Sequence, residues 1–219
     1  MQLPGPLKEA LLIRRYKRFL ADVETSDGEE ITLHCPNTGS MKNCQQPGSR
    51  VWYTLSANPA RKYPGTWQLI EVAGRDLVGI NTGLANALAA ELLASGGVPT
   101  LAGYDVIRRE VAYGAGKRSR IDLLLEDSAG SLPPCYVEIK NVSLGERDGV
   151  GLFPDAVTLR GQKHLHELQQ VAASGCRAVL FFCVQHSGIE EVRPADEIDP
   201  DYGRLLREAA ANGVELMAF

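Results

Sequence analysis

Asp122 interrupts an otherwise apolar run, Ile121-Asp122-Leu123-Leu124-Leu125, and sixteen residues later Glu138 and Lys140 punctuate a second one, Tyr136-Val137-Glu138-Ile139-Lys140-Asn141-Val142. Both runs have the length and aliphatic content of strands. The turn-rich stretch from Asp127 to Pro134 between them predicts an antiparallel hairpin. Strand alternation puts Glu138 and Lys140 on one face, with Val137 and Ile139 on the other. Neighbouring strands lie about 4.8 Å apart, so Asp122 can sit beside Glu138 where the register allows. Charges on half-buried strands are costly unless they are paired or bound to metal. Folding alone does not ask for them.

An Asp followed by Glu-x-Lys on a hairpin is the PD-(D/E)xK nuclease pattern. Asp122, Glu138 and the backbone carbonyl of Ile139 offer hard oxygen ligands suited to Mg²⁺ or Mn²⁺. Such an ion lowers the pKa of bound water and stabilises charge on a phosphate. Lys140 would orient or deprotonate the attacking water and offset the developing charge. Glu91 falls in the preceding predicted helix, a position where such nucleases often carry a further acid. Gln162 and Lys163 open the helix that follows. The competing reading of the three charges is a salt-bridged ladder on an exposed strand face.

The element order agrees with this core. Residues 1–81 read as all-β, with short runs at Arg14–Val23, Glu30–Cys35, Arg50–Ser56, Trp67–Ala73 and Leu77–Asn81 separated by Gly, Pro and Asn. Five short strands suit an OB-fold barrel, with an SH3-like barrel as the competitor. From Thr82 the texture changes to a helix through about Ser95, three strands, a helix at Leu159–Ala173, a strand, a helix opened by Asp199-Pro200, and a last strand at Val214–Phe219. The fold class is therefore mixed α/β, an OB-fold domain over 1–81 and a PD-(D/E)xK nuclease-like domain over 82–219. The stretch 143–158 shows no clear period and reads as a long loop, either a lid or a floppy insertion.

The chain carries a net charge of −4, which at first disfavours nucleic acid. Eight Asp/Glu against three Arg lie in residues 185–219, however, so the rest of the chain is slightly basic. Local stripes, not totals, set binding. Arg15, Lys17 and Arg18 with Tyr16 and Phe19, then Arg61 and Lys62 with Tyr63 and Trp67, mark the barrel as a surface for phosphates and stacked bases. Lys117, Arg118 and Arg120 precede Asp122 and would place positive charge at the mouth of the site. The five scattered cysteines include no CxxC, so neither a disulfide framework nor a zinc ribbon is expected. His164 and His166, two apart on a helix, point to different faces. No apolar run approaches the roughly 18–20 residues of a membrane span, and the N-terminus lacks a secretory pattern, so a cytoplasmic protein with no membrane partner is expected.

Several tracts then resemble one family. They are Leu33-His34-Cys35-Pro36-Asn37-Thr38-Gly39-Ser40-Met41, Asn81-Thr82-Gly83-Leu84-Ala85-Asn86, Arg118-Ser119-Arg120-Ile121-Asp122, Cys135-Tyr136-Val137-Glu138-Ile139-Lys140 and Phe153-Pro154-Asp155 through Gln162-Lys163-His164-Leu165. They resemble the bacterial sugar fermentation stimulation protein A family. The resemblance implies an OB-fold plus a nuclease-like domain, DNA binding without strong sequence preference, and a link to regulation of maltose metabolism genes. Asp122, Glu138 and Lys140 carry over as the triad by position. Three functions are weighed: a metal-dependent DNA phosphodiesterase, a non-catalytic DNA-binding regulator on a nuclease-like fold, and an enzyme acting on a phosphorylated sugar. No Gly-rich phosphate loop supports the last. RNA as an alternative to DNA, and homodimerisation, stay open.

Overall fold

The computed structural model describes residues 1–3, 5–114 and 119–219. Two compact units emerge: one comprises Met1–Leu84, Val142–Asp155 and Val184–Arg193, the other Ala85–Asn141, Ala156–Cys183 and Pro194–Phe219.

In the first unit, β1 (Leu7–Tyr16), β2 (Leu20–Thr25), β3 (Glu30–His34), β4 (Arg50–Leu55), β5 (Gly65–Val72) and β6 (Asp76–Gly79) form one sheet in the order β3-β2-β1-β4-β5-β6. A parallel pairing of His34 with Thr66 joins β3 to β5 and closes a five-stranded ring, the OB-fold topology. Gly65 makes that closure possible: a Cβ there would lie 2.8 Å from the side chains of both Leu33 and Tyr53. Leu12, Val23, Leu33, Val51, Trp67 and Ile70 fill the barrel. Trp67 is wholly buried and its indole N–H donates to the Leu69 carbonyl, so the expectation that it belongs to a stacking surface is corrected.

The expected single strand Arg14–Val23 is also corrected. Tyr16 pairs with Leu20 across a three-residue turn in which Lys17 and Arg18 adopt left-handed φ of 49° and 67°. A strand upstream, most of β1, escapes the sequence pattern because Leu11 points outward and spoils the alternation.

The stretch 143–158 is not structureless. It holds β10 (Leu144–Gly145) and β11 (Val150–Phe153), and β11 lies between β10 and β13 (Glu191–Pro194) in a small sheet. Strands of two and four residues are too short to leave a period.

In the second unit, β7 (Val106–Tyr113), β8 (Ser119–Glu126), β9 (Cys135–Val142), β12 (Arg177–Val184) and β14 (Val214–Ala218) form a sheet ordered β14-β12-β9-β8-β7. β7, β8 and β9 run as antiparallel neighbours, and β12 pairs with β14 in parallel. Leu123, Leu125, Val137, Val179 and Phe181 bury one face with Ala85 and Ala89 of α1 (Ala85–Ala94). The helices α2 (Leu159–Ala173) and α3 (Pro200–Ala211) pack on each other. This is a nuclease-like mixed sheet with flanking helices. Among the described residues no helix is long and apolar enough to cross a membrane.

Candidate functional site

The β8–β9 ladder pairs Leu125 with Cys135, Leu124 with Tyr136 and Leu123 with Val137, and the next rung would join Asp122 to Glu138. The backbone ladder stops there. Instead the Ile139 N–H donates to Asp122 Oδ2 at 2.7 Å, so the carboxylate takes the place of the next rung. On the other edge, the β7–β8 rungs run to Arg109 with Leu123 and resume at Val111 with Ile121. Between them Glu110 sits opposite Asp122 with a left-handed φ of 53°, a conformation that residues with a Cβ rarely adopt. Both ladders flanking β8 therefore open at Asp122. Local strain of this kind clusters at functional sites.

Asp122 is half-buried, and Asn86 Nδ2 donates to its Oδ1 at 2.8 Å. Burial, then the nearby charge of Glu138, raises its carboxyl above the ordinary value, and the two hydrogen bonds only partly offset this. Glu138 is 3% exposed. Its Oε1 faces Lys140 Nζ at 2.7 Å and hydrogen-bonds His164 Nδ1. Burial works to raise the Glu138 carboxyl, but His164 and the Lys140 ammonium outweigh it and hold it below its usual range.

The tautomer of His164 follows from its second contact. Arg160 Nε donates to His164 Nε2 at 3.4 Å, so Nε2 is the bare nitrogen and Nδ1 carries the proton given to Glu138. The Lys140 ammonium, 3.3 Å from Nδ1, then serves Glu138 rather than the ring. A chain runs Arg160–His164–Glu138–Lys140. Sequence reasoning passed over Arg160, His164 and Asn86. The available signal was the four-residue spacing of Arg160 and His164, which puts both on one face of α2.

The arrangement suits a hard divalent cation. Glu138 Oε2 is buried and has no hydrogen-bond partner among the described residues, which is costly for a carboxylate oxygen. Two neighbouring carboxylates, one of them with an orphaned oxygen, form a hard oxygen donor set. Among the described residues no group of three or more His, Cys, Asp or Glu has metal-ligand geometry, so the remaining positions would fall to the Ile139 carbonyl and water. Glu91 joins no such group. It lies exposed on α1, five residues and so roughly 140° around the helix from Asn86, which is the α1 residue that reaches Asp122.

Gln162 Nε2 is spent on Asp199, at 3.0 and 3.2 Å from its two oxygens. Lys163 is exposed, 2.9 Å from Ser119 Oγ and 3.3 Å from Glu167. Arg120 is exposed and donates to the Glu110 carbonyl. Lys117 and Arg118 lie outside the described residues. In the barrel, Lys17, Arg61 and Lys62 are exposed, with Lys62 Nζ 5.5 Å from the Tyr63 ring centroid. Arg15 and Arg18 make internal hydrogen bonds. Arg15 Nη2 lies 2.8 Å from the Arg18 carbonyl and 2.9 Å from those of Asn37 and Gly39, and Arg18 Nε lies 2.9 Å from that of Thr38. They fasten the 37–40 loop to the first hairpin.

Comparisons with known proteins complete the picture. A family model described as "SfsA N-terminal OB domain" matches residues 13–80, and one described as "Sugar fermentation stimulation protein RE domain" matches residues 83–219. Two relatives named "Sugar fermentation stimulation protein homolog" span the whole chain and 92% of their own length: one from Shewanella baltica (strain OS185) at 54% identity, one from Pseudomonas paraeruginosa at 55%. Among solved structures, the fold resembles Pyrococcus furiosus SfsA in complex with Ca²⁺, at 28% identity and a TM-score of 0.85, over 100% of this chain and 89% of that one.

Proposed function

The chain belongs to the sugar fermentation stimulation protein family, and from that premise we propose that it is a cytoplasmic DNA-binding phosphodiesterase, dependent on Mg²⁺ or Mn²⁺, with its site at Asp122, Glu138 and Lys140. The observation that carries this reading is the buried, partnerless Oε2 of Glu138 beside a second carboxylate. The related Pyrococcus furiosus protein with its Ca²⁺ supports divalent-cation binding. Asp122, Glu138 and the Ile139 carbonyl would hold the ion, and it would supply Lewis acidity and an activated water.

The residues of the chain then have distinct tasks. The Ile139 N–H and Asn86 amide fix Asp122 in one orientation. His164 locks Oε1 of Glu138 and leaves the buried Oε2 without a hydrogen-bond partner, open to a ligand. Lys140 pairs with Glu138 at rest, and its ammonium is within reach of a phosphate oxygen or an attacking water at the same carboxylate. The exposed Lys17, Arg61 and Lys62 on the OB-fold unit would track the phosphate backbone with little sequence preference. The free thiols of Cys35, Cys44, Cys135, Cys176 and Cys183 support a reducing compartment. Regulation of maltose metabolism genes, which the resemblance implies, would act through this DNA binding.

A second reading, a regulator without turnover, is favoured by one observation: Lys140 is already engaged in an ion pair with Glu138. Incubation of purified protein with labelled DNA and Mn²⁺ or Mg²⁺ separates the two. Cleavage by wild type that Asp122→Asn abolishes supports the phosphodiesterase. Equal background from both proteins, with DNA binding intact, supports the regulator.

A further inference from the structure

Val157 and Leu159 are 66% and 77% exposed, whereas every other exposed large apolar side chain among the described residues lies between 36% and 47%. Two aliphatic side chains standing this far into water are not explained by packing. They flank Thr158, the N-cap of α2, and Leu159 directly precedes Arg160, which touches His164 in the site network.

This tip is held firmly. Asp199, 1% exposed, accepts from the Thr158 N–H at 2.8 Å, from the Gln162 amide and from the Tyr202 N–H at 2.9 Å. Thr158 Oγ in turn accepts from the Gly161 N–H at 3.0 Å. A buried carboxylate thus ties the first turn of α2 to α3, and the two apolar side chains are presented from a fixed backbone. A fixed apolar pair loses little conformational freedom on contact, which suits a binding edge.

The neighbouring charges limit the partner. Arg160 adjoins Leu159 and Lys163 follows it by one turn of α2; both are exposed cations, and Lys163 Nζ lies 2.9 Å from Ser119, which precedes the exposed Arg120. A phosphodiester strand complements them, and the broadest apolar surfaces it offers are the faces of its bases. In a fully paired duplex those faces are covered by stacking, so an apolar contact on a base face costs least where a base is already unstacked. We propose that Val157 and Leu159 form an apolar edge that packs against an unstacked nucleobase, making DNA with an unpaired base the preferred substrate class. This rests on the nucleic-acid reading of the site above.

The test compares binding of two fluorescein-labelled DNAs in EDTA: a fully paired duplex, and the same duplex with a short bulge containing 2-aminopurine. Wild type should bind the bulged DNA about tenfold more tightly, a difference of about 1.4 kcal/mol, and change the 2-aminopurine emission. In Val157→Ser/Leu159→Ser the affinity ratio should fall to near one and the emission change should vanish, with Leu159→Ala intermediate. A wild-type ratio near one, or a ratio untouched by the substitutions, overturns the proposal. So does a drop in molecular mass of the variant in light scattering, which would assign the edge to a second copy of the chain. Cleavage of the same DNAs by wild type with Mn²⁺ is read separately: its absence removes the catalytic reading and leaves the binding ratio to decide this one.

Discussion

The Nδ1–H of His164 donates to Oε1 of Glu138, and the other oxygen of that carboxylate, Oε2, is buried with no hydrogen-bond partner among the described residues. One carboxylate is thus divided between two tasks, one oxygen anchored to α2 and one left for a ligand. Arg160 fixes the tautomer that makes this possible.

His164→Ala should therefore lower stability by about 1.5–3 kcal/mol, the range for a hydrogen bond to a charged group, as measured by urea denaturation. His164→Asn, which can still donate to Oε1, should recover part of the loss. The same series should weaken Mn²⁺ affinity in isothermal titration, with Asn again between Ala and wild type. Equal effects of Ala and Asn on Mn²⁺ affinity would show that His164 matters only for packing.

Glu138 also predicts a pH dependence. Its carboxyl is held below the ordinary 4.5, so at neutral pH it is ionised and its pairing stabilises the fold. That contribution is complete above pH 4.5 and is lost as pH falls through the lower folded value. Asp122 has the opposite sign, because burial raises its carboxyl: it favours the fold most when protonated, and that contribution is lost as pH rises through its folded value. The stability difference between wild type and Glu138→Gln, followed by thermal melts, should narrow as pH falls below 4.5. A difference that widens on acidification would contradict the assignment.

Much of this arrangement was legible in the sequence, and the exceptions share a cause. The α2 limits were readable because Thr158 caps the helix and the apolar period runs to Ala173. The hairpin and its three charges were readable because charge inside an apolar run is anomalous wherever it occurs. That Arg15 and Arg18 also hold the carbonyls of residues 37–40 left no local trace, because that loop lies some twenty residues away. Glu91 attracted notice as a carboxylate, whereas the α1 residue that meets Asp122 is an amide. Long-range partnership leaves no local pattern.

The barrel arginines and lysines should separate accordingly. Arg15→Ala strips a guanidinium from several backbone carbonyls and should lower the melting temperature, at a cost of about 2–3 kcal/mol. Lys17→Asn, Arg61→Gln and Lys62→Gln should leave the melting temperature nearly unchanged. Each should weaken DNA binding and reduce the salt slope of log affinity by about one unit. Fluorescence anisotropy across a salt series distinguishes them.

The central claim is that Asp122 and Glu138 together hold a divalent cation. A crystal of the protein soaked in Mn²⁺, with anomalous scattering recorded above the manganese edge, tests it most directly. The expected result is an anomalous peak bridging Asp122 and Glu138 Oε2, absent from Asp122→Asn crystals. A well-ordered site with no peak at these carboxylates, under Mn²⁺ concentrations that occupy other positions, would contradict it.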